Sequence, residues 1–272
     1  MSSKEEQEHQ ETSMLRFPNS NINRRIKVAC IGGGQLGRML ALEAPRLGID
    51  MVCLDAGGRE CPAAQVTSNT VVQGSLQDAK AIQQVAQGAD VVTVEIEHVN
   101  VDALQALEED HGVIVRPSAR VLRIIQDKYL QKNHFSHNSN IPLPKYMATP
   151  SIASIQQAAE TLGLPIMLKS RRGGYDGRGN AVLKQATIPA IRQALKSLGA
   201  LKKESDNEND DDSLDIYAEG WIDFGLEVAV MVVQSADGQT TKSYPAVRQA
   251  NVDGTADAAD ERRSRAFPND NY

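Results

Sequence analysis

Two glycine-rich stretches, two lysines and a few acids are the residues of this chain with types and spacing suited to chemistry. Gly32-Gly33-Gly34-Gln35-Leu36-Gly37 lies between a short apolar run and a helical pattern. Glycines at such a turn let a ligand approach the backbone closely, and the helix N-terminus offers unpaired N–H groups to an anion. Asp55 closes the next apolar run, 18 residues beyond Gly37. In a dinucleotide site an acid there would bind ribose hydroxyls. These residues leave three readings open: an NAD-type Rossmann domain, a tight turn with no ligand, and a loop for the phosphate of another substrate. The second stretch is Gly173-Gly174-Tyr175-Asp176-Gly177-Arg178-Gly179-Asn180. It holds more glycine than a hairpin turn requires, and its backbone N–H groups suit a loop that closes over phosphates. Lys169 ends an apolar strand, an unusual place for a solvated lysine, whereas Lys128 by itself reads as a surface residue. Glu219 and Glu227 by themselves read as strand-edge acids. Cys30 and Cys53 sit within apolar runs and read as buried thiols. His98 has no second ligand spaced with it, so no metal site is read from the chain.

The elements that must position these residues alternate. Apolar runs at 26–31, 51–54, 70–72, 90–94 and 113–115 read as strands, with helical spacing at 35–47, 78–87 and 101–110 between them. Pro45 is awkward inside the first helix, where it removes an N–H. Strands alternating with helices imply an α/β fold with a parallel sheet covered on both faces. After residue 117 the rhythm becomes α+β: helices at 119–125, 127–137, 152–162 and 188–198, and strands at 165–169, 181–183, 216–219 and 227–233. A hairpin turn is expected at 236–239. A domain boundary is placed near 118–122. Residues 1–24 read as a disordered extension. Residues 201–213 hold six acids and two lysines and read as a solvated acidic loop insertion. No internal repeat is present.

Composition narrows the function classes. The 272 residues are 41% apolar and 24% charged, as in a globular protein. No run is long and apolar enough to span a membrane, and the polar N-terminus is no secretory signal. Three cysteines fit no metal spacing and suit a reducing, cytoplasmic compartment. A formal charge of −6 and 4% aromatics argue against a nucleic-acid binder.

Longer strings are more specific than the glycine motif. They are Ile31 to Met39, Val94-Glu95-Ile96-Glu97-His98-Val99, Gln126-Asp127-Lys128, Lys169-Ser170-Arg171, Gly174 to Gly179, Tyr217-Ala218-Glu219 with Glu227, and Ser243-Tyr244-Pro245. In this order, over about residues 25–247, the chain resembles the ATP-grasp enzyme 5-(carboxyamino)imidazole ribonucleotide synthase. The wording is most similar to the fungal form, phosphoribosylaminoimidazole carboxylase. The resemblance implies a Rossmann-like pre-ATP-grasp domain at 25–120 followed by an incomplete α+β ATP-grasp domain at 121–247. It implies ATP-dependent carboxylation of aminoimidazole ribonucleotide by bicarbonate through carboxyphosphate, in purine biosynthesis. Catalytic roles then go to Lys169, Tyr175, Asp176 and Arg178. ATP contacts go to Lys128, Lys169, Gly174, Tyr175, Asp176, Gly177, Arg178, Gly179, Asn180, Glu219, Gly220, Trp221, Ile222 and Glu227. The ribonucleotide falls to Gly34, Gln35, Leu36 and Glu95. The family also implies Mg²⁺ and a homodimer.

The likeness fails after Val247. Arg248 and Asn251 stand where the family carries a glutamate and a position that often holds histidine. Residues 248–272 are therefore expected to be a divergent tail, out of frame or mis-spliced, on a truncated enzyme. The Mg²⁺ ligands are expected in the missing part, and turnover is expected to be impaired. An NAD-dependent oxidoreductase and a non-catalytic remnant are the alternatives.

Overall fold

The structure, a computed structural model, describes residues 24–66, 71–138, 140–174, 179–201 and 214–248. Tyr175, Asp176, Gly177 and Arg178, the acidic insertion from residue 202, the extension up to residue 23 and the tail from 249 lie outside the described residues. The chain divides into two compact units, 19–222 and a second that contains 223–248.

The first unit holds two sheets. Strands β1 (Ile26–Ile31), β2 (Ile49–Asp55), β3 (Val71–Gln73), β4 (Val91–Val94) and β5 (Ile114–Val115) form a parallel sheet in the order β3-β2-β1-β4-β5. Successive side chains of a strand point to opposite faces. Ala29, Ile31, Val52 and Leu54 accordingly enter one core, and Cys30, Met51 and Cys53 enter another. The first core is closed by α2 (Ala79–Ala86), α3 (Val101–His111) and α4 (Ala119–Gln126), which contribute Ile82, Leu104 and Leu122. The second is closed by α1 (Gln35–Glu43). Pro45 has the effect its chemistry dictates: the α-helix stops at Glu43, and Pro45 enters a short 3₁₀ turn over Ala44–Leu47. Asp78, Asn100 and Ser118 cap α2, α3 and α4 through their side-chain oxygens.

Helix α5 (Lys128–Asn138) leads to the second sheet. Strands β6 (Tyr146–Ala148), β7 (Ile166–Ser170), β8 (Asn180–Leu183) and β9 (Ile216–Gly220) pair antiparallel in the order β6-β9-β7-β8. Helices α6 (Ile152–Leu162) and α7 (Ile188–Ser197) lay Ile155 and Ile191 against Ile166, Leu168 and Ala218. Strand β6 was not anticipated: Tyr146-Met147-Ala148 is no continuous apolar run of branched residues and follows Pro142 and Pro144.

In the second unit, the strand expected at 227–233 is two strands, a correction. Strand β10 (Val228–Ala229) pairs with β13 (Val247–Arg248), and β11 (Val232–Gln234) pairs with β12 (Thr241–Ser243) across the anticipated turn. The pairing register slips by one residue between the two ladders, Val228 facing Arg248 but Val232 facing Ser243. Pro245 lies in the slipped segment and has no N–H to continue a ladder.

Leu168 is fully buried in β7, whereas Val182 on the neighbouring β8 is 42% exposed. Leu168→Ala is expected to lower unfolding free energy by about 3 kcal/mol and Val182→Ala by less than about 1 kcal/mol, read from urea midpoints.

Candidate active site

The first glycine loop folds onto the chain's own carboxylates. Gly33 N donates to Asp55 Oδ2 at 3.0 Å, and Gly57 N donates to Asp55 Oδ1 at 2.8 Å. Gly34 N donates to Glu95 Oε2 at 2.7 Å, and Leu36 N to Glu95 Oε1 at 3.0 Å. Glu95 thus supplies the negative group that the N-terminus of α1 attracts. Two glycines are required by this approach. Gly32 has φ +116°, and a Cβ there would lie 2.6 Å from Glu95 Cβ; a Cβ on Gly37 would lie 2.7 Å from Gly32 O. The structure therefore brings Gly34, Leu36 and Glu95 together and leaves Gln35 exposed beside them. Of the three readings left open for the loop, this arrangement disfavours the dinucleotide cradle. The amides of Gly33, Gly34 and Leu36 are bonded, and Asp55 is spent on Gly33 and Gly57 rather than held out for a ribose.

A second cluster forms where α5, β7 and β9 meet. Glu219 is buried on β9, two residues along from Tyr217, the register partner of Lys169 on β7. Lys132 Nζ is 2.9 Å from Glu219 Oε1, and Lys169 Nζ is 3.6 Å from Oε2. Oε1 is sealed from solvent and no donor is aligned on it, so Lys132 holds it by charge rather than by a directed hydrogen bond. Lys128 Nζ donates to Gly174 O at 2.9 Å, at the edge of the second glycine stretch, and Ser170 N donates to Gly179 O at 2.9 Å. Burial holds the Lys128 ammonium below the usual lysine range, and the positive charge of Lys169 pushes the same way, against Glu97 and Glu219. Burial also pushes the Tyr217 phenol up, reinforced by the charge of Glu219 and a hydrogen bond to it. Lys132 and Lys169 pair with Glu219, and Lys128 stands within reach of their charges with Glu97 and Glu219 as the opposing acids, so ammonium groups outnumber carboxylates here, an arrangement that suits a polyphosphate.

Of the other expected residues, Asn180 pairs with Lys169 across β7 and β8, and Gly220 N donates to Lys145 O at 2.8 Å. Trp221 and Ile222 are about half exposed. Glu227 lies in the second unit and is exposed. His98 is half-buried, with Nε2 3.7 Å from Glu97 Oε1.

Sequence reasoning missed Lys132, although it stands four residues after Lys128 and so on the same face of α5. It also assigned no role to Asp127 and Arg171. Asp127 is buried; its Oδ1 accepts from Tyr129 N and Leu130 N, both at 3.0 Å, and from Arg171 Nε at 3.1 Å, while Oδ2 accepts from Arg171 Nη2. Burial alone would raise the Asp127 carboxyl, but the hydrogen bonds from Arg171 and Leu130 and the charges of Arg171 and Arg172 outweigh it and hold the group below its ordinary value.

The family model described as the ribonucleotide synthetase pre-ATP-grasp domain matches residues 25–126, and the ATP-grasp domain model matches 134–263. Among curated relatives, the chain is 42% identical over 221 residues to phosphoribosylaminoimidazole carboxylase of Ogataea methanolica, covering 81% of this chain and 38% of that one. It is 34% identical to N5-carboxyaminoimidazole ribonucleotide synthase of Pseudomonas aeruginosa, covering 84% and 58%. The chain thus spans well under two thirds of the length of these relatives. Among solved structures, carboxyaminoimidazole ribonucleotide synthase from Aspergillus clavatus complexed with ATP superposes with a TM-score of 0.71 at 36% identity, over 84% of this chain and 55% of that one. The N5-carboxyaminoimidazole synthase of the same organism, in complex with ADP and 5-aminoimidazole ribonucleotide, gives 0.71 at 35%, over 85% and 55%.

The depressed Asp127 pKa has a signed consequence. Its stabilisation is fully present above the unfolded-state value near 3.9 and is lost as pH falls through the lower folded value. Asp127→Asn is expected to cost about 3 kcal/mol at neutral pH. Urea unfolding across pH 7 to 2 is expected to show the gap between wild type and variant shrinking only below about pH 4.

Proposed function

The chain belongs to the carboxyaminoimidazole ribonucleotide synthase family of ATP-grasp proteins, and from that premise we propose that it binds ATP and aminoimidazole ribonucleotide for ATP-dependent carboxylation of the ribonucleotide with bicarbonate. In that reaction a bicarbonate oxygen attacks the γ-phosphorus, ADP leaves, and carboxyphosphate forms. The exocyclic amine of the ribonucleotide then attacks the carboxyl carbon, phosphate leaves, and the amine gives up a proton. Phosphoryl transfer of this kind depends on positioning and on neutralising charge more than on covalent help from the protein.

The observation that carries the reading is the pairing of Lys132 and Lys169 with the buried Glu219, with Lys128 close enough to feel the charge of Lys169 and bonded to Gly174 O. The ammonium groups of Lys128 and Lys169 would meet the phosphates, and Glu219 would hold Lys132 and Lys169 from swinging away before nucleotide arrives. Tyr175, Asp176, Gly177 and Arg178 keep the nucleotide and catalytic roles carried over from the resemblance, with Gly179 and Asn180 at the far end of that loop. Gly220, Trp221 and Ile222 would line the adenine, and Glu227 would accept the ribose hydroxyls. Gly34, Gln35, Leu36 and Glu95 would face the ribonucleotide. Glu95 enters with both oxygens already bonded to amides, so it would meet a hydroxyl or amine donor rather than a phosphate.

Mg²⁺ supplies phosphate-charge neutralisation in ATP enzymes. Among the described residues no group of three or more His, Cys, Asp or Glu converges to hold a metal ion. The division at residue 120 and a homodimer belong to the same proposal. So does a cytoplasmic setting, which the free thiols Cys30, Cys53 and Cys61 support. No helix among the described residues is long and apolar enough to cross a membrane.

Thermal melting tests the reading. ATP and aminoimidazole ribonucleotide, each at saturating concentration, are expected to raise the melting temperature, by the equivalent of about 2.7 kcal/mol at a hundred times Kd. NAD is expected to leave it unchanged. Lys169→Gln is expected to weaken ATP about tenfold. A shift with NAD and none with ATP would overturn the assignment.

A further inference from the structure

We propose that the Asp127–Arg171 pair is the positioning device of the phosphate site, holding Lys128 and Lys169 at the spacing one polyphosphate chain can bridge. The inference rests on the ATP reading above and extends it to residues that touch no nucleotide atom.

The two lysines come from separate elements. Lys128 is the first residue of α5, and Lys169 lies near the end of β7. Both are cationic and close enough to repel each other, so their approach needs a restraint from elsewhere. Asp127 and Arg171 stand one residue before the first lysine and two residues after the second. Their contact is a fork: Nε and Nη2 of Arg171 reach the two oxygens of Asp127 at 3.1 and 2.5 Å. A bidentate guanidinium–carboxylate pair fixes angle as well as distance, which a lysine ammonium does not.

The surroundings fix the fork in turn. The same Asp127 oxygen caps α5 through Tyr129 N and Leu130 N, so a shift of the carboxylate would shift the helix that carries Lys128. Lys128 N donates to Arg171 O at 2.8 Å, and Arg171 N donates to Asp215 O at 3.0 Å. The guanidinium also lies 5.2 Å from the centre of the Tyr129 ring and 3.6 Å from Asp215 Oδ1. Backbone and side chain therefore tie residues 127–130 to residue 171 as one block.

A positioning role predicts loss graded by phosphate, not a uniform loss. Arg171→Lys keeps the charge and removes the fork, and the double variant Asp127→Asn/Arg171→Gln removes both charges without leaving either one buried alone. Affinities for adenosine, ADP, ATP and inorganic tripolyphosphate are measured by calorimetry on wild type and both variants. ATP and tripolyphosphate are expected to weaken about tenfold in Arg171→Lys, with adenosine within about twofold. A folded variant that binds tripolyphosphate as wild type does, or that loses adenosine equally, overturns the proposal.

A second measurement needs no variant. Amine acetylation of the wild-type chain, read by mass spectrometry, is expected to be blocked at Lys128 and Lys169 together, at one half-saturating tripolyphosphate concentration. Protection of only one lysine also overturns it. Tripolyphosphate protection of both without ATP binding would sink the nucleotide reading and leave the clamp standing.

Discussion

A single buried carboxylate joins two parts of the larger unit. Asp127 ends the passage from α4, caps α5 and grips the arginine at the end of β7. Placing a charge out of water is unfavourable unless every lone pair is used, and here both oxygens are engaged by amides and by the guanidinium. The consequence is geometric: the helix that carries Lys128 and Lys132 cannot choose its angle to the second sheet independently. The charge cluster around Glu219 then forms between elements whose approach is already set, and its own contacts orient the side chains.

The glycine loop shows the opposite use of carboxylates. A strand–glycine–helix turn is commonly credited with affinity for anions because its amides are free. In this chain Asp55 and Glu95 occupy those amides. The fold retains the electrostatic preference of a helix N-terminus and satisfies it internally. What remains for a ligand is the outer face of a fixed carboxylate, a surface that discriminates for donors.

The parallel sheet was legible in the sequence because buried strands this apolar stand out against the amphipathic helices between them. Ile26–Ile31 and Ile152–Leu162 appear with the expected bounds. Strand β6 was not legible, nor was the break within 227–233, because that break depends on which partner each half pairs with and on a proline in the opposing segment. At the site, Lys128, Lys169 and Glu219 were chosen through a likeness of motifs, and the structure gathers them. Asp127 and Arg171 were given no role because an ion-pair partner has no spacing signature until the elements are packed, whereas Lys132 carried a faint one, four residues after Lys128 on α5. The glycine loop stayed open among three readings for the same reason: its local pattern cannot say that an acid 61 residues away fills it.

That separation matters during synthesis. A chain emerges from the ribosome at roughly 5–20 residues per second. Gly34 therefore waits roughly 3–12 s for Glu95, which follows 61 residues later. Until then the amides of Gly34 and Leu36 lack their carboxylate, although Gly33 can already reach Asp55, and α1 lacks the acid that anchors its first turn. The turn that looks most like a self-contained local motif cannot complete its hydrogen bonds until the fourth strand of its sheet has been made.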